Sequence, residues 1–107
     1  MNDQIQSELD TIVAEITSLV PDAQVILFGS YAKGQEHEDS DLDLCIISES
    51  LPGRRIDLMH TIRYAIYKKT SLPLDIVVYP RKEFQINSKS RSRLEHSIVS
   101  EGVVLHA

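Results

Sequence analysis

Two short runs dominate this sequence: LFGSYAKG over residues 27–34 and SDLDL over residues 40–44. In the first run, an apolar segment ends abruptly at Gly29 and Ser30. Glycine lets a backbone approach a ligand closely, and a Gly-Ser turn after a strand offers backbone N–H groups and a hydroxyl to an anion. The pattern therefore predicts a phosphate-binding loop at Gly29 and Ser30. Lys33 is a further candidate for contact with the phosphates, and a solvated loop lysine is the alternative interpretation.

The second run opens an apolar segment with two aspartates, Asp41 and Asp43, which point to the same face of a strand. A third aspartate, Asp75, interrupts the later apolar segment Leu72–Tyr79. Strands disfavour aspartate, and burying an unpaired carboxylate is costly. If the two strands are neighbours, the three carboxylates converge at one end of the sheet and repel one another unless a cation lies between them.

Oxygen ligands of this kind favour Mg²⁺ or Mn²⁺ over zinc or copper. Residues i and i+2 of a strand lie about 6.5–7 Å apart at Cα, so Asp41 and Asp43 could lean toward two ions about 3.5–4 Å apart. Such a pair of ions clamps the attacking and leaving oxygens of an in-line displacement at phosphorus. The combination predicts metal-assisted chemistry on a nucleoside triphosphate.

The remaining pattern predicts an α/β fold, with a small β-sheet and helices packed against it. The turn at Ser50–Arg55 contains Pro52 and Gly53. The predicted helices are Asp3–Val20, a short one over Gly29–Lys33, Arg54–Lys69 and Ser88–Ser100, the last capped by Glu101 and Gly102, and the predicted strands are Gln24–Phe28, Asp41–Ser48, Leu72–Tyr79 and Val103–Leu105.

Length and composition indicate a single domain over residues 1–107, with 42% apolar and 25% charged residues. The net charge of −5 argues against direct nucleic-acid binding through bulk electrostatics. The N-terminal residues lack the basic start and apolar core of a signal peptide, and no apolar run approaches the length of a membrane span. A cytoplasmic protein is the expectation, and the lone Cys45 is interpreted as a small core residue.

Taken together, Gly29-Ser30-x-Ala32-x-Gly34 and Ser40-Asp41-x-Asp43-Leu44 resemble the signature of polymerase-beta-type nucleotidyltransferases. The later LDIV at residues 74–77 is similar to the strand that bears the third carboxylate of that superfamily. The short length resembles the minimal nucleotidyltransferases, many of which are encoded beside a HEPN-domain protein. That resemblance implies a small mixed sheet, ATP as donor and two Mg²⁺ ions.

The resemblance also implies roles for individual residues. Gly29 and Ser30 would bind the β- and γ-phosphates, and Asp41 and Asp43 would hold the two ions. Asp75 would ligate the catalytic ion and help to deprotonate the acceptor hydroxyl. The implied reaction is transfer of AMP to a tyrosine of a HEPN ribonuclease toxin. The protein would then be an antitoxin in a hetero-complex or oligomer, with no membrane partner.

Two alternatives stay open at this point. One is nucleotidyl transfer to a small molecule such as an aminoglycoside, although little of the chain remains to build a pocket for it. The other is an antitoxin that acts by binding alone. A basic cluster of Lys89, Arg91 and Arg93 could bind an acidic partner or RNA, and the solvated face of a helix is the favoured interpretation.

Overall fold

A computed structural model describes residues 3–49, 51 and 53–107 of the chain. Helices and strands alternate through most of it, as the apolar periodicities predict. The elements are α1 (Asp3–Leu19), β1 (Gln24–Phe28), α2 (Gly29–Ala32), β2 (Leu42–Ser48), α3 (Arg55–Tyr67), β3 (Leu74–Pro80), α4 (Arg81–Asn87), α5 (Leu94–Glu101) and β4 (Val103–His106).

The four strands form one mixed sheet in the order β3-β2-β1-β4. Strand β1 pairs in antiparallel fashion with both β2 and β4, whereas β2 and β3 run parallel. Parallel neighbours need a long crossover, and α3 supplies it. This arrangement confirms the predicted α/β class with a small mixed sheet.

The sheet separates two apolar layers. Alternate residues of β2, which are Leu42, Leu44 and Ile46, belong to the larger cluster with the buried faces of α1 and α3. The intervening Cys45 and Ile47 belong to a smaller cluster on the opposite face. That smaller layer also contains Ile26, Tyr79, Phe84 and Ile98, so α4 and α5 cover this second face.

The helix predicted over Ser88–Ser100 is wrong in its first half. The chain instead forms α4, makes a series of turns over residues 88–93, and begins α5 at Leu94. Serine side chains compete for backbone groups in such a stretch, and the Ser88 hydroxyl donates to the Gln85 carbonyl at 3.0 Å. The basic residues of this segment therefore lie in a turn and not on a helix face.

The buried face of α5 does not include all of its apolar residues. Leu94 and Val99 are 48% and 58% exposed. Glu95 and Ile98, three residues apart on one face of the helix, are buried instead.

Several boundaries shift by one or two residues. Strand β2 begins after Asp41, and β3 begins at Leu74 and not at Leu72. The predicted turn Ser50–Arg55 includes Ser50 and Pro52, which lie outside the described residues. None of the helices that the structure describes is both long enough and apolar enough to cross a bilayer.

Gly102 joins α5 to β4 through a close approach and not through a left-handed cap. Its φ is −73°, and its N–H donates to the Ile98 carbonyl at 2.8 Å. A Cβ at this position would overlap the Ile98 carbonyl oxygen and lie 2.5 Å from Cγ2 of Ile26. The absence of a side chain lets the end of α5 pack onto β1.

We expect Gly102→Ala to lower the free energy of unfolding by about 1–3 kcal/mol, the usual cost of overpacking. The measurement is chemical denaturation followed by circular dichroism. Ser97→Ala, on the exposed side of the same helix, should change stability by less than about 0.5 kcal/mol. Equal stability of the two variants would contradict the steric explanation.

Candidate active site

The parallel pairing of β2 and β3 places Asp43 directly beside Asp75, because the two residues are register partners. Neighbouring strands lie about 4.8 Å apart, so the two side chains project from adjacent positions of the same face. Asp41 immediately precedes β2 at this edge. A hydrogen bond from the Leu42 N–H to the Pro73 carbonyl, 2.9 Å long, joins the starts of the two strands. The three predicted carboxylates therefore share one end of the sheet. We call Asp41, Asp43 and Asp75 the acidic edge.

Gly29 lies against the carboxylate of Asp43. Phe28, the residue before it, is the antiparallel partner of Asp43. The φ of Gly29 is +74°, which side chains rarely tolerate, and a Cβ built there would overlap Oδ2 of Asp43 and lie 2.9 Å from its Cγ. Glycine is thus required at this position for two reasons, the backbone conformation and the close approach of the Asp43 carboxylate.

The short helix α2 starts at Gly29, and no side chain caps it. The first N–H groups of a helix have no partner within the helix, so those of Gly29 and Ser30 stay available to an anion. The predicted phosphate loop and the predicted acidic edge are therefore in contact through Gly29 and Asp43.

The electrostatics of the edge follow from crowding of like charges. Asp43 is half-buried, whereas Asp41 and Asp75 are exposed. Burial, followed by the negative charges of Asp75 and Asp41, raises the pKa of the Asp43 carboxyl above its ordinary value. Within the described residues, no hydrogen bond or ion pair involves any of the three carboxylates.

The donor set is chemically suited to a hard divalent cation, because all three groups are carboxylate oxygens. Among residues 3–49, 51 and 53–107, however, no group of three or more His, Cys, Asp or Glu side chains is arranged to hold a metal ion. The edge thus supplies negative charge and unpaired oxygen donors without a closed set of ligands.

Ser40 organises the loop before β2, a role that its place in the motif did not indicate. Its side-chain oxygen accepts a hydrogen bond from the His37 N–H at 2.9 Å, and its own N–H donates to the His37 carbonyl at 2.9 Å. Ser40 is buried although it is polar. This closed turn fixes the backbone immediately before Asp41.

The structure places Lys33 and Tyr31 at the edge of the site. Lys33 follows α2, and its Nζ lies 2.9 Å from Oε2 of Glu101, so its charge is shared with the end of α5. Tyr31 is partly buried and packs against the larger apolar cluster. Its ring therefore contributes to the core on the side of the sheet away from Asp43.

A buried polar group, which the sequence did not reveal, lies under α5 on the same face as Asp43. Glu95 is 6% exposed and accepts hydrogen bonds from the Tyr79 hydroxyl and from Nδ2 of Asn87, the latter at 3.3 Å. Burial opposes ionisation of Glu95, but bonds from its own backbone N–H, from Tyr79 and from Asn87 outweigh burial and keep its pKa below the ordinary value. Its position three residues before Ile98 was the signal available in the sequence.

Glu95 contributes to the raised pKa values of two neighbouring side chains. Burial, together with this nearby carboxylate, raises the pKa of the Cys45 thiol to about 12. Burial, and then the hydrogen bond to Glu95, also raises the pKa of the Tyr79 hydroxyl. Cys45 therefore stays a neutral thiol, in agreement with the prediction that it is a core residue.

Comparison with known protein families identifies the fold. A family model described as a nucleotidyltransferase domain matches residues 9–100, which include all three carboxylates and the Gly-Ser turn. The chain belongs to this nucleotidyltransferase family. The transferase class predicted from the motif is thereby confirmed.

Two relatives come from Methanocaldococcus jannaschii, and both are provisionally named protein adenylyltransferases. One is 54% identical over 39 residues, which make up 36% of this chain and 26% of that protein. The other is 35% identical over 68 residues, which make up 62% of this chain and 66% of that protein. The matched segment thus spans about a quarter of the first relative and about two thirds of the second.

Solved structures share the fold of this nucleotidyltransferase at low identity. A toxin-antitoxin crystal structure with AMP-PNP has a TM-score of 0.56 and 20% identity, covering 89% of this chain and 70% of that one. A nucleotidyltransferase assigned in Sulfolobus solfataricus also scores 0.56, with 19% identity and coverage of 97% and 86%. The complex of a tri-AMPylated Shewanella oneidensis HEPN toxin with MNT antitoxin scores 0.56 at 17% identity, covering 94% and 70%.

The double requirement for glycine at position 29 can be tested against Gly34, whose φ is +68° but which has nothing within 4 Å of an added Cβ. Gly34→Ala should lower the free energy of unfolding by only about 1–2 kcal/mol, the cost of the left-handed backbone conformation for a residue with a side chain. Gly29→Ala should lose more stability and should also shift the ¹³C carboxyl resonance of Asp43, because its methyl group displaces that carboxylate. Equal costs with an unchanged Asp43 resonance would argue against the contact.

The raised pKa of Asp43 predicts a pH-dependent stability. The folded protein binds this proton more tightly than the unfolded chain, so ionised Asp43 destabilises the fold above the ordinary value of 3.8. Without divalent ions, Asp43→Asn should therefore raise the free energy of unfolding at pH 7, and this gain should disappear as the pH falls below 3.8. The measurement is urea denaturation across this range in EDTA.

Asp57→Asn is the matched control, since Asp57 is an exposed acid in the first turn of α3. This substitution removes one negative charge, as Asp43→Asn does, but it leaves the repulsion among the three carboxylates of the acidic edge unchanged. It should therefore give no gain in the free energy of unfolding at pH 7. A gain from Asp43→Asn that persisted unchanged at low pH would contradict the electrostatic cause.

Proposed function

We propose that this nucleotidyltransferase is a protein adenylyltransferase that transfers AMP from ATP to a tyrosine hydroxyl of a HEPN-domain toxin, and so acts as its antitoxin. The observation that carries the proposal is the juxtaposition of Asp43 with Asp75 across β2 and β3, and of Gly29 with the Asp43 carboxylate. This arrangement sets a phosphate-binding backbone against an acidic edge, as triphosphate chemistry requires.

The acidic edge would hold two Mg²⁺ ions through Asp41, Asp43 and Asp75. When bound, these ions neutralise the charge of the triphosphate and polarise the α-phosphate. Asp41 and Asp75 are exposed and unpaired, so no interaction within the described residues has to be broken for them to turn toward a cation. The raised pKa of Asp43 fits the same role, because a cation would offset both the burial and the repulsion that raise it.

The protein residues have distinct roles in the transfer. The backbone N–H groups of Gly29 and Ser30, with the Ser30 hydroxyl, bind the β- and γ-phosphates and hold the α-phosphorus near Asp43 and Asp75. The phenol oxygen attacks the α-phosphorus, and its proton passes to the Asp75 carboxylate. The bond from the α-phosphorus to the oxygen bridging to the β-phosphate breaks, and pyrophosphate leaves.

A carboxylate base at this edge is needed because a tyrosine hydroxyl has an ordinary pKa of about 10. General-base assistance of this kind typically contributes about 10²–10⁴-fold to a rate. Lys33 would add a phosphate contact if its ammonium group exchanged Glu101 for the triphosphate.

The protein acceptor is supported by the names of the relatives, which are provisional protein adenylyltransferases. The HEPN partner is supported by one structural neighbour, a tri-AMPylated HEPN toxin with MNT antitoxin, and the nucleotide donor by a second, a toxin-antitoxin structure with AMP-PNP. We further propose that residues 1–107 act as a single catalytic domain in a cytoplasmic hetero-complex.

The test is incubation with α-³²P-labelled ATP, Mg²⁺ and a candidate HEPN-domain protein. We expect label on the HEPN protein and a loss of at least about a hundredfold with Asp43→Asn, because the edge then lacks its innermost carboxylate. Asp57→Asn should transfer AMP at the wild-type rate. Mass spectrometry of the product identifies the modified residue.

The outcomes separate the alternatives. Equal labelling by wild type and Asp43→Asn would show that the acidic edge takes no part in AMP transfer. Protection of cells from the toxin by Asp75→Asn, with no AMP transferred, would indicate an antitoxin that acts by binding. Labelling of an aminoglycoside instead of the HEPN protein would move the acceptor to the small-molecule class.

A further inference from the structure

The turn between α4 and α5 carries an unusual concentration of positive charge. Residues 88–93 read SKSRSR, with Lys89, Arg91 and Arg93 alternating with three serines and no acidic residue among them. The chain as a whole carries a net charge of −5. We call residues 88–93 the basic turn.

The cations of the basic turn differ from four other cations of the chain in their lack of ion pairs. Lys33, Arg55, Lys69 and Arg81 each form an ion pair with a glutamate. In the part of the chain that the structure describes, the side chains of Lys89, Arg91 and Arg93 make no hydrogen bond or ion pair, and all three residues are exposed.

The backbone of the basic turn is held in place at both ends. The Ser88 N–H donates to the Phe84 carbonyl at 2.9 Å, and the Arg93 N–H donates to the Ser90 carbonyl at 3.1 Å. The His96 ring contacts the Ser88 carbonyl through Nδ1 at 3.0 Å. The three cations are thus presented by an ordered segment, which lowers the entropy lost when a partner binds.

The basic turn belongs to the same face of the sheet as the acidic edge. It joins α4 to α5, and Phe84 of α4 and Ile98 of α5 pack in one apolar cluster with Cys45. Cys45 and Asp43 are two residues apart on β2 and project from one face, about 6.5–7 Å apart at Cα. A partner held on the basic turn would therefore lie beside the face from which Asp43 projects.

We propose that the basic turn is a docking surface for an acidic segment of the acceptor protein. The inference rests on the proposed protein-acceptor function and adds the chemistry of the acceptor. An RNA strand is disfavoured because single-strand sites combine cations with aromatic stacking platforms, and residues 85–107 contain no Phe, Tyr or Trp.

The binding test uses ¹⁵N-labelled full-length protein and a synthetic peptide in which one tyrosine is flanked by glutamates. Titration at low ionic strength should shift the amide resonances of residues 88–94 saturably. The same peptide with glutamines in place of the glutamates should leave them unmoved. Lys89→Gln/Arg91→Gln/Arg93→Gln should weaken binding on the order of tenfold, as expected for loss of three exposed charge pairs.

A matched control removes one cation from α3 and the two that flank it, on the other side of the sheet. Arg54→Gln/Arg63→Gln/Lys68→Gln changes the net charge equally and should alter the affinity less than about twofold. If the basic-turn variant shows a poorly dispersed spectrum, Arg91→Gln alone replaces it, because within the described residues the exposed Arg91 side chain makes no hydrogen bond or ion pair.

Absence of saturable shifts at residues 88–94, or equal affinity of wild type and the basic-turn variant, would overturn the proposal. Tighter binding of a short oligouridylate than of the acidic peptide at the same amides would overturn it in favour of RNA. AMP transfer is measured separately, so peptide binding without transfer to the HEPN protein would refute the proposed reaction and leave the docking surface standing.

Discussion

Three carboxylates at the start of two parallel strands repel one another, and much of the structure serves to hold them there. The β2–β3 pairing puts Asp43 beside Asp75, and the hydrogen bond from Leu42 to Pro73 joins the two strands where they begin. The closed turn at Ser40 fixes the backbone before Asp41. Repulsion concentrated in this way costs stability, and such costs are typical of sites that bind charged ligands.

The apolar layers offset this loss of stability by packing against both faces of the sheet. The larger layer, under α1 and α3, contains most of the fully buried side chains. The smaller layer, under α4 and α5, continues on the face that carries Asp43 and Asp75. The site is therefore the end of a face that α4 and α5 cover elsewhere, and two of its three carboxylates are exposed.

This second side of the sheet carries charges of both signs. The acidic edge is negative, the buried Glu95 accepts hydrogen bonds from Tyr79 and Asn87, and the basic turn between α4 and α5 is positive. Lys33 and Glu101 link the residue after α2 to the end of α5, so the predicted phosphate loop is connected to the helix that follows the basic turn.

The alternation of apolar residues was sufficient to predict the strands of the sheet and the class of the fold, because period-two and helical patterns are local properties of the chain. The same locality explains why the helix predicted over Ser88–Ser100 was wrong in its first half, where serines and charged residues leave no clear period. The burial of Glu95 was not predicted for a related reason. Its hydrogen-bond donors, Tyr79 and Asn87, belong to other elements of the fold.

The sequence by itself determined the residue types of the candidate site: a Gly-Ser turn, a pair of aspartates two residues apart, and a third aspartate inside a later strand. Only the tertiary structure decided that β2 and β3 are parallel neighbours, that Asp43 lies against Gly29, and that the basic residues form a turn on the same face. The physical reason is that spacing along a chain fixes which face a side chain takes, whereas strand order and long-range packing fix what lies opposite to it.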